Sequence, residues 1–314
     1  MTRLTSVLIP LILMVTLSLV GTPLAAEPGR VLNGHEFAPS ELVPAPFAIS
    51  YFGTRTGGGV AFDLKTPFVD LEGETLGVLE GDVAFMNLGF NYQQRFGSWF
   101  AASFGFGGIA RIGVDEQSIL AQGVTGSVVY RVGGLARILQ TDKVILSGGL
   151  DFAKTDIVGM DIFGFAQRVI EEGINAEDNS VVASGNALSR QASLRVGWAP
   201  LPWLGVTGYL EGGQGDTSVA DNETLFGGGG SVGIDLKEFG LIPLGFMMIG
   251  KTDAFAQGGA DLASRTYSYG FSFSYTGWDD FCVSLEMSMN LLERREADDD
   301  FEAFIGTFNL RYWP

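Results

Sequence analysis

The sequence predicts an all-β fold, a single antiparallel up-and-down β-barrel whose strands cross a membrane. Apolar and polar residues alternate along many segments of the chain, and the 314 residues include 45 Gly and 24 Phe. Gly is at about twice its usual share, and together with Phe it suits strands and tight turns rather than long helices. Beyond the N-terminus, no apolar run approaches the ~18 residues of a membrane-spanning helix. A membrane protein without such helices is expected to close its sheet into a barrel.

The first element along the chain is a predicted secretory signal peptide, residues 1–26. Arg3 supplies a basic start, and residues 7–20 are almost entirely apolar. Ala25 and Ala26 then supply small residues before the predicted cleavage point. The chain is therefore expected to be exported.

The mature chain is predicted to have two parts, a tail over residues 27–45 and a transmembrane β-barrel over 46–314. The tail contains three prolines and little periodicity, which predicts an irregular periplasmic segment. Insertion of this tail into the barrel lumen is the alternative. The lone histidine, His35, lies in the tail and is expected to be solvated.

Twelve segments alternate between apolar and polar residues and are predicted strands. The clearest runs from 264 to 276, where Tyr267, Tyr269 and Phe271 share one face and small polar residues the other. The predicted strands are 46–55, 81–95, 98–113, 124–140, 143–156, 189–199, 203–214, 225–237, 242–253, 264–276, 279–292 and 301–313. Most match the ~9–11 residues that a tilted strand needs to cross a bilayer. Two further candidate segments in 56–80, GVAFDLK and ETLGVLEG, leave fourteen strands as an alternative.

The predicted connections alternate in length. Short turns lie at 96–99, 141–143, 200–203, 237–243 and 276–280, and longer polar segments lie at 56–80, 114–123, 157–188, 215–224, 254–263 and 293–300. This sorting is typical of barrels with short periplasmic turns and long extracellular loops. Within 157–188, apolar residues at helical spacing predict a short amphipathic helix. It either caps the barrel mouth or gates it, with Phe163 and Phe165 as the gate candidates.

The last segment, FEAFIGTFNLRYWP, carries Phe304, Phe308, Leu310 and Tyr312 on one face. It resembles the C-terminal signal strand of bacterial outer-membrane β-barrels, and the whole mature chain resembles that superfamily. The resemblance implies that the barrel-assembly machinery recognises Phe308, Leu310 and Tyr312. It also implies a place in the outer membrane of a Gram-negative bacterium, in contact with lipid and lipopolysaccharide. The terminal Pro314 departs from the pattern, in which the aromatic residue most often ends the chain.

The charge balance excludes nucleic acid as a partner. Removal of Arg3 with the signal peptide leaves 18 of the 19 basic residues against 36 acidic ones. Nucleic acid needs a basic surface for its phosphates.

The residues also predict no catalytic site, no metal site and no cofactor, so the protein is not expected to be an enzyme. One histidine and one cysteine cannot build the usual zinc site. Barrel hydrolases need a histidine near the substrate, and His35 lies in the tail. Cys282 is expected to fill space on the polar face of its strand. The acidic run Asp298–Asp300 is expected to be solvated, with loose binding of a divalent ion as the alternative.

Alternation places a set of charged side chains on the inward face of the predicted barrel. An arginine that faced lipid at mid-depth would cost ~2–4 kcal/mol, which supports this assignment. The set is Arg95, Arg111, Arg131, Arg137, Asp151, Arg195, Glu211, Asp235, Glu286 and Arg311. The charges either pair across neighbouring strands and stiffen the lumen, or face each other across water and select solutes by their field.

These observations predict an outer-membrane channel for passive or facilitated uptake of a small solute. All of the inward set except Arg95 are the predicted pore-lining residues. The alternative function is a closed structural or adhesive barrel whose extracellular loops bind a surface partner. Paired lumen arginines would favour the closed barrel, and unpaired ones the channel.

Overall fold

A computed structural model of the chain describes residues 29–69, 75–114, 123–160, 182–217, 223–240, 242–256, 262–294 and 301–314. The predicted signal peptide, the gate candidates Phe163 and Phe165, and the acidic run Asp298–Asp300 lie outside the described residues. No helix in the described ranges is long and apolar enough to cross a membrane.

Twelve antiparallel strands form a closed barrel, which confirms the predicted fold class. Each barrel strand pairs with its neighbours in sequence, and the last strand closes the ring against the first. Two short strands, β1 (Val31–Leu32) and β2 (His35–Glu36), precede the barrel as a hairpin. The barrel strands are β3 (Tyr51–Val69), β4 (Thr75–Phe96), β5 (Phe100–Gly113), β6 (Val124–Gln140), β7 (Val144–Met160), β8 (Val182–Leu201), β9 (Leu204–Thr217), β10 (Glu223–Asp235), β11 (Leu244–Ala256), β12 (Leu262–Tyr275), β13 (Phe281–Arg294) and β14 (Phe301–Tyr312).

The alternative of fourteen strands is wrong. The two candidate segments within 56–80 continue β3 and β4, which pair with each other up to Val69 and Thr75. β3 also begins later than predicted, at Tyr51 rather than residue 46. β7 and β8 extend into the predicted connection 157–188, since they pair with each other up to Met160 and Val182. Antiparallel hairpins keep their backbone hydrogen bonds beyond the bilayer, where alternation is no longer required.

The outer face of the barrel is apolar and its inner face is polar. On β12 the side chains of Tyr269, Phe271 and Phe273 are exposed. Those of Ser272 and Ser274, which alternate with them along the strand, are buried. The same arrangement holds on β14, where Phe304, Phe308 and Tyr312 are exposed. An exposed apolar surface around a buried polar interior is the arrangement that lipid requires of a barrel.

Residues 29–50, here called the plug segment, lie inside the barrel. They bond to inward-facing side chains of β4, β7 and β13, through Gln93, Ser147 and Glu286. β7 and β13 lie on opposite sides of the ring, so one segment can reach both only from within. The described part of the predicted tail is therefore inserted in the lumen, which corrects the expectation of a free periplasmic tail.

The apolar core of the protein lies between the plug segment and the barrel wall. Val43 packs with Tyr209, Met247 and Ile249 in one cluster. The other two clusters consist of Leu32, Phe37, Phe47, Ile145 and Ala199, and of Ala48, Ala101 and Leu135. All the wall residues involved lie near the end of the barrel with the short connections, which we call the short-turn end.

Candidate functional site

The plug segment begins with a hairpin that rests on the short turn between β8 and β9. Asn33 and Gly34 form its tip with positive φ angles of 48° and 85°. The Asn33 side chain donates to the backbone carbonyls of Ala199 and Pro200, at 3.1 and 3.2 Å. These bonds fix the base of the plug segment to the barrel rim.

His35 anchors the same hairpin inside the lumen and is only 3% exposed. Its ring packs edge-on against Phe37, with centroids 4.7 Å apart. It also lies directly over Gly205 of β9, where a Cβ atom would overlap the imidazole. The expectation of a solvated His35 is therefore wrong.

The buried imidazole of His35 is held in its neutral form. Burial lowers the pKa of His35 to about 4, against a smaller opposing effect of Asp235. Its Nδ1 atom is buried and has no hydrogen-bond partner among the described residues. A neutral, enclosed imidazole of this kind cannot reach a solute as a general base.

Arg30 joins the plug segment to the C-terminal end of the barrel. Its guanidinium lies over the Trp313 ring, 3.6 Å from the centroid, and donates to the Asp279 carbonyl at 3.3 Å. It also forms an ion pair with Glu36. Burial lowers the pKa of Arg30 and raises that of Glu36, since each charge has lost water.

Glu41 and Glu286 mark the middle of the plug segment. The Glu41 carboxylate pairs with Arg55 of β3, and the Glu41 backbone N–H donates to Glu286 Oε2 at 3.2 Å. Glu286 is 4% exposed and has no cationic partner among the described residues. This buried carboxyl group is thus contacted by the Ser40 side chain and by backbone N–H groups of the plug segment.

The last part of the plug segment is bound through its backbone carbonyls. Gln93 Nε2 donates to the carbonyls of Phe47 and Ile49, at 2.9 and 2.8 Å. Ser147 Oγ donates to the Pro46 carbonyl at 2.6 Å, and Arg195 Nη1 to the Ala45 carbonyl at 3.5 Å. The wall therefore recognises the main chain here.

The inner wall carries further charges besides those that contact Glu41 and Arg30. Arg195 pairs with Asp151 at 2.9 Å, and Lys251 pairs with Asp253 at 2.8 Å. The exposed side chains of Arg111 and Arg131 form no ion pair with the described residues. Glu211 lies on the same wall as Asp253. Pairing of the lumen charges is therefore partial.

The remaining predicted pore-lining residues lie at the short-turn end. Arg137 bonds to the Ser98 carbonyl and to Gln140 at a turn. Asp235, 1% exposed, caps a single 3₁₀ turn at Leu236–Phe239 by accepting from Lys237 N at 3.1 Å.

Two more inward residues also lie at this end. Arg311 lies over the Tyr51 ring, 4.4 Å from the centroid. Arg95, the inward residue outside the pore-lining set, donates to the Gly97 carbonyl at 2.6 Å.

Two other sequence assignments concern the outer face and metal ions. Phe308, Leu310 and Tyr312 share the outer face of β14, and Phe308 and Tyr312 are exposed.

In the described ranges, no three His, Cys, Asp or Glu residues are grouped to hold a metal ion. Cys282 is buried on the inner face of β13.

Sequence reasoning missed the contacts that hold the plug segment in the lumen. These contacts are made by Glu41 of the plug segment and by Arg55, Gln93 and Ser147 of the wall. Arg55 faces Asn309 and Gly89 on its neighbouring strands, neither of which can neutralise it. An inward charge with no cross-strand partner is the signal that could have pointed to an additional segment in the lumen.

Comparisons with known proteins bear on the fold. No family model matches the sequence, and no curated protein matches it. Among solved structures, the translocator domain of the autotransporter NalP from Neisseria meningitidis shares 10% identity and covers 86% of this chain and 90% of its own, with a TM-score of 0.49. LpxR from Salmonella typhimurium shares 15% identity over 83% of this chain and 100% of its own, at 0.43. The toluene transporter TodX of Pseudomonas putida shares 8% over 90% and 95%, at 0.42.

Such low identities and TM-scores add nothing about function. The closed ring of twelve strands with an apolar outer face decides the fold. The fold is that of an outer-membrane β-barrel. The resemblance that the sequence indicated is confirmed at the level of the fold.

Proposed function

We propose that this protein is an outer-membrane channel for a small solute, closed at rest by its own plug segment. The observation that carries the proposal is how the lumen is filled. The inner wall presents small residues beside the plug segment, including Gly197, Gly205 and Gly233, and the space next to them is occupied by Pro46 and His35 of that segment. Withdrawal of that segment would leave a polar passage, because the wall itself does not fill the lumen.

The contact between the plug segment and the wall is suited to release. His35 Nδ1, Tyr209 Oη and Trp313 Nε1 are buried there without a hydrogen-bond partner in the described residues. Each such atom costs about 1–3 kcal/mol and would regain water on release. A permanent core would be expected to satisfy these atoms.

The proposal is tested by single-channel recording in planar lipid bilayers. The mature chain should pass little current, and a variant that lacks residues 29–50 should give stable conductance steps. A folded, inserted deletion variant that passes no current would contradict the proposal. Insertion is checked separately by the mobility shift of the unheated barrel in gels.

A full-length variant guards against poor folding of the deletion. In Gly205→Ala the new Cβ overlaps the His35 ring, so the plug segment must shift. Gly250→Ala is the matched control, because a Cβ at Gly250 meets no atom within 4 Å. Gly205→Ala should raise the frequency of conductance steps, and Gly250→Ala should leave it unchanged.

The second candidate function, a closed structural or adhesive barrel, is favoured by the charge pairing. Arg55, Arg195 and Lys251 each have a carboxylate partner. This candidate predicts no current from the deletion variant or from Gly205→Ala. The same recordings therefore separate the two functions.

A further inference from the structure

We propose that the lumen wall is a binding site for short extended peptides, which the plug segment occupies in the resting barrel. The inference rests on the proposed function, because a solute can reach these wall groups only after the plug segment has left. It names the class of that solute: a peptide with apolar side chains and a free amino terminus.

The first argument is that the wall binds the main chain of residues 41–49. Gln93 and Ser147 donate to three backbone carbonyls at 2.6–2.9 Å. Across the lumen, Glu286 accepts from a backbone N–H at 3.2 Å. Carbonyls and N–H groups recur along every peptide, so these contacts do not depend on the side chains of the bound segment.

The second argument is that apolar surfaces lie between these polar contacts. Val43 packs against Tyr209, Met247 and Ile249, and Phe47 packs in the cluster with Ile145 and Ala199. In peptide recognition, main-chain hydrogen bonds provide affinity and surfaces for side chains provide selectivity. The lumen wall combines both, and it prefers peptides with apolar residues.

The third argument comes from two charged residues of the wall, Arg55 and Glu286, which both contact Glu41. Arg55 binds the carboxylate of Glu41, and any acidic side chain or C-terminal carboxylate could take that place. Glu286 is buried, and its partners in the described residues are the Ser40 side chain and backbone N–H groups of the plug segment, none of which carries a charge. An ammonium group would neutralise Glu286 better than a neutral N–H does, so a free amino terminus fits at this position.

A simpler explanation is that these contacts only hold the plug segment. It predicts that the wall fits the sequence of residues 41–49 and no other. A peptide site predicts instead that a peptide with the same composition in another order also binds, because the polar contacts go to the main chain.

The experiment measures peptide binding by calorimetry to the refolded variant that lacks residues 29–50. The probes are the synthetic peptide ELVPAPFAI, which is the sequence of residues 41–49, a shuffled peptide, and an N-acetylated form of each. We expect both free peptides to bind, and acetylation to weaken them about tenfold, as loss of one charge-assisted contact implies. If the deletion variant does not fold, full-length Gly205→Ala replaces it.

Two substitutions in the wall make the test specific. Gln93→Ala and Glu286→Gln should each weaken binding of both free peptides by about tenfold. Asn91→Ala is the control, because Asn91 shares the strand and face of Gln93 but makes no hydrogen bond to the plug segment within the described residues.

The outcomes are distinct. Binding of the native-order peptide alone, or of neither peptide, would overturn the inference. Binding to the Gln93→Ala and Glu286→Gln variants as tight as to the protein without these substitutions would also overturn it. If the deletion variant conducts but does not bind peptides, the proposed channel stands and the peptide site is refuted. A barrel that binds peptides but passes no current refutes the channel while the wall site stands.

Discussion

At the scale of single residues, His35 couples the protonation of one side chain to the position of the plug segment. The ring is neutral when docked, since burial lowers its pKa to about 4. Glu36, Asp235 and Lys237 are the charged groups around it. On release the ring should regain its ordinary pKa near 6.5. The released form then binds more protons between these two values, so docking is fully stabilised above pH 6.5 and weakens as the pH falls toward 4.

We therefore predict that acidification opens the channel. The pKa difference corresponds to as much as about 3 kcal/mol at pH 4, enough to change the docked population strongly. The measurement is open probability between pH 7.5 and pH 4 for the mature chain and for His35→Gln, whose response should be flatter. Glu36 has the opposite effect on docking, because burial raises its pKa. Both proteins contain Glu36, so a difference between their pH profiles reports on His35. Identical pH profiles for the two proteins would refute the role of His35.

Arg30 is a second residue whose contribution can be tested directly. Its removal leaves buried Glu36 with Lys237, 3.7 Å away, as its only cationic neighbour among the described residues. It also removes the stacking on Trp313. Breaking a buried ion pair from one side typically costs about 3–5 kcal/mol. Arg30→Ala should make the plug segment accessible to protease in the intact barrel, and Lys143→Ala, at an exposed turn, should not. Equal resistance of both variants would contradict this prediction.

At the scale of elements, the seam between β14 and β3 closes the barrel, and the two strands leave no space for a side chain at Gly59. A Cβ at Gly59 would overlap the backbone of Phe304 and meet the Phe85 ring. At Gly306, on the other side of the same seam, a Cβ would meet nothing within 4 Å. We predict that Gly59→Ala destabilises the folded barrel by about 1–3 kcal/mol, as overpacking usually does, and that Gly306→Ala has little effect. The temperature at which the unheated gel mobility is lost checks both, and equal shifts would contradict the prediction.

The strands could be predicted from sequence because lipid imposes alternation on them. Each strand within the bilayer must place apolar residues outward and small or polar residues inward. The exposed aromatic residues of β12 and β14 follow this rule. The ends of the strands were predicted less accurately than the strands themselves. β3 and β4 continue beyond the segment where alternation is imposed, so 56–80 looked like a loop or an additional strand pair.

The position of the plug segment could not be predicted, for a different reason. Its main polar contacts use its backbone, through Ala45, Pro46, Phe47 and Ile49. Backbone contacts leave no periodicity in the side chains, and Pro46, Phe47 and Ile49 were therefore assigned to the predicted strand 46–55 instead. The inward orientation of Arg195 and Glu286 followed from alternation, but their shared partner, the plug segment, did not.

At the scale of the whole molecule, the lumen charges beyond the plug segment are distributed unevenly around the ring. Arg111 and Arg131 lie on β5 and β6, and Asp253 lies on β11, opposite β5 in the strand order. Glu211 lies near Asp253 on β9. An ion crossing this region would meet a cationic wall and a more acidic one, which gives a field across the passage.

This arrangement predicts how ion selectivity depends on Arg131. In the variant lacking residues 29–50, Arg131→Glu replaces a positive charge that forms no ion pair with the described residues by a negative one. A unit charge contributes about 1 kcal/mol to the energy of an ion 4 Å away in water, so the cation-to-anion permeability ratio should rise roughly fivefold or more. The reversal potential in a salt gradient measures this ratio. Arg190→Glu is the control, because Arg190 pairs across from the outward-facing Phe152 and is exposed on the outer face of β8. If both variants shift the reversal potential equally, the prediction is wrong, because ion selectivity then depends on the net charge of the barrel and not on the charges that line the passage.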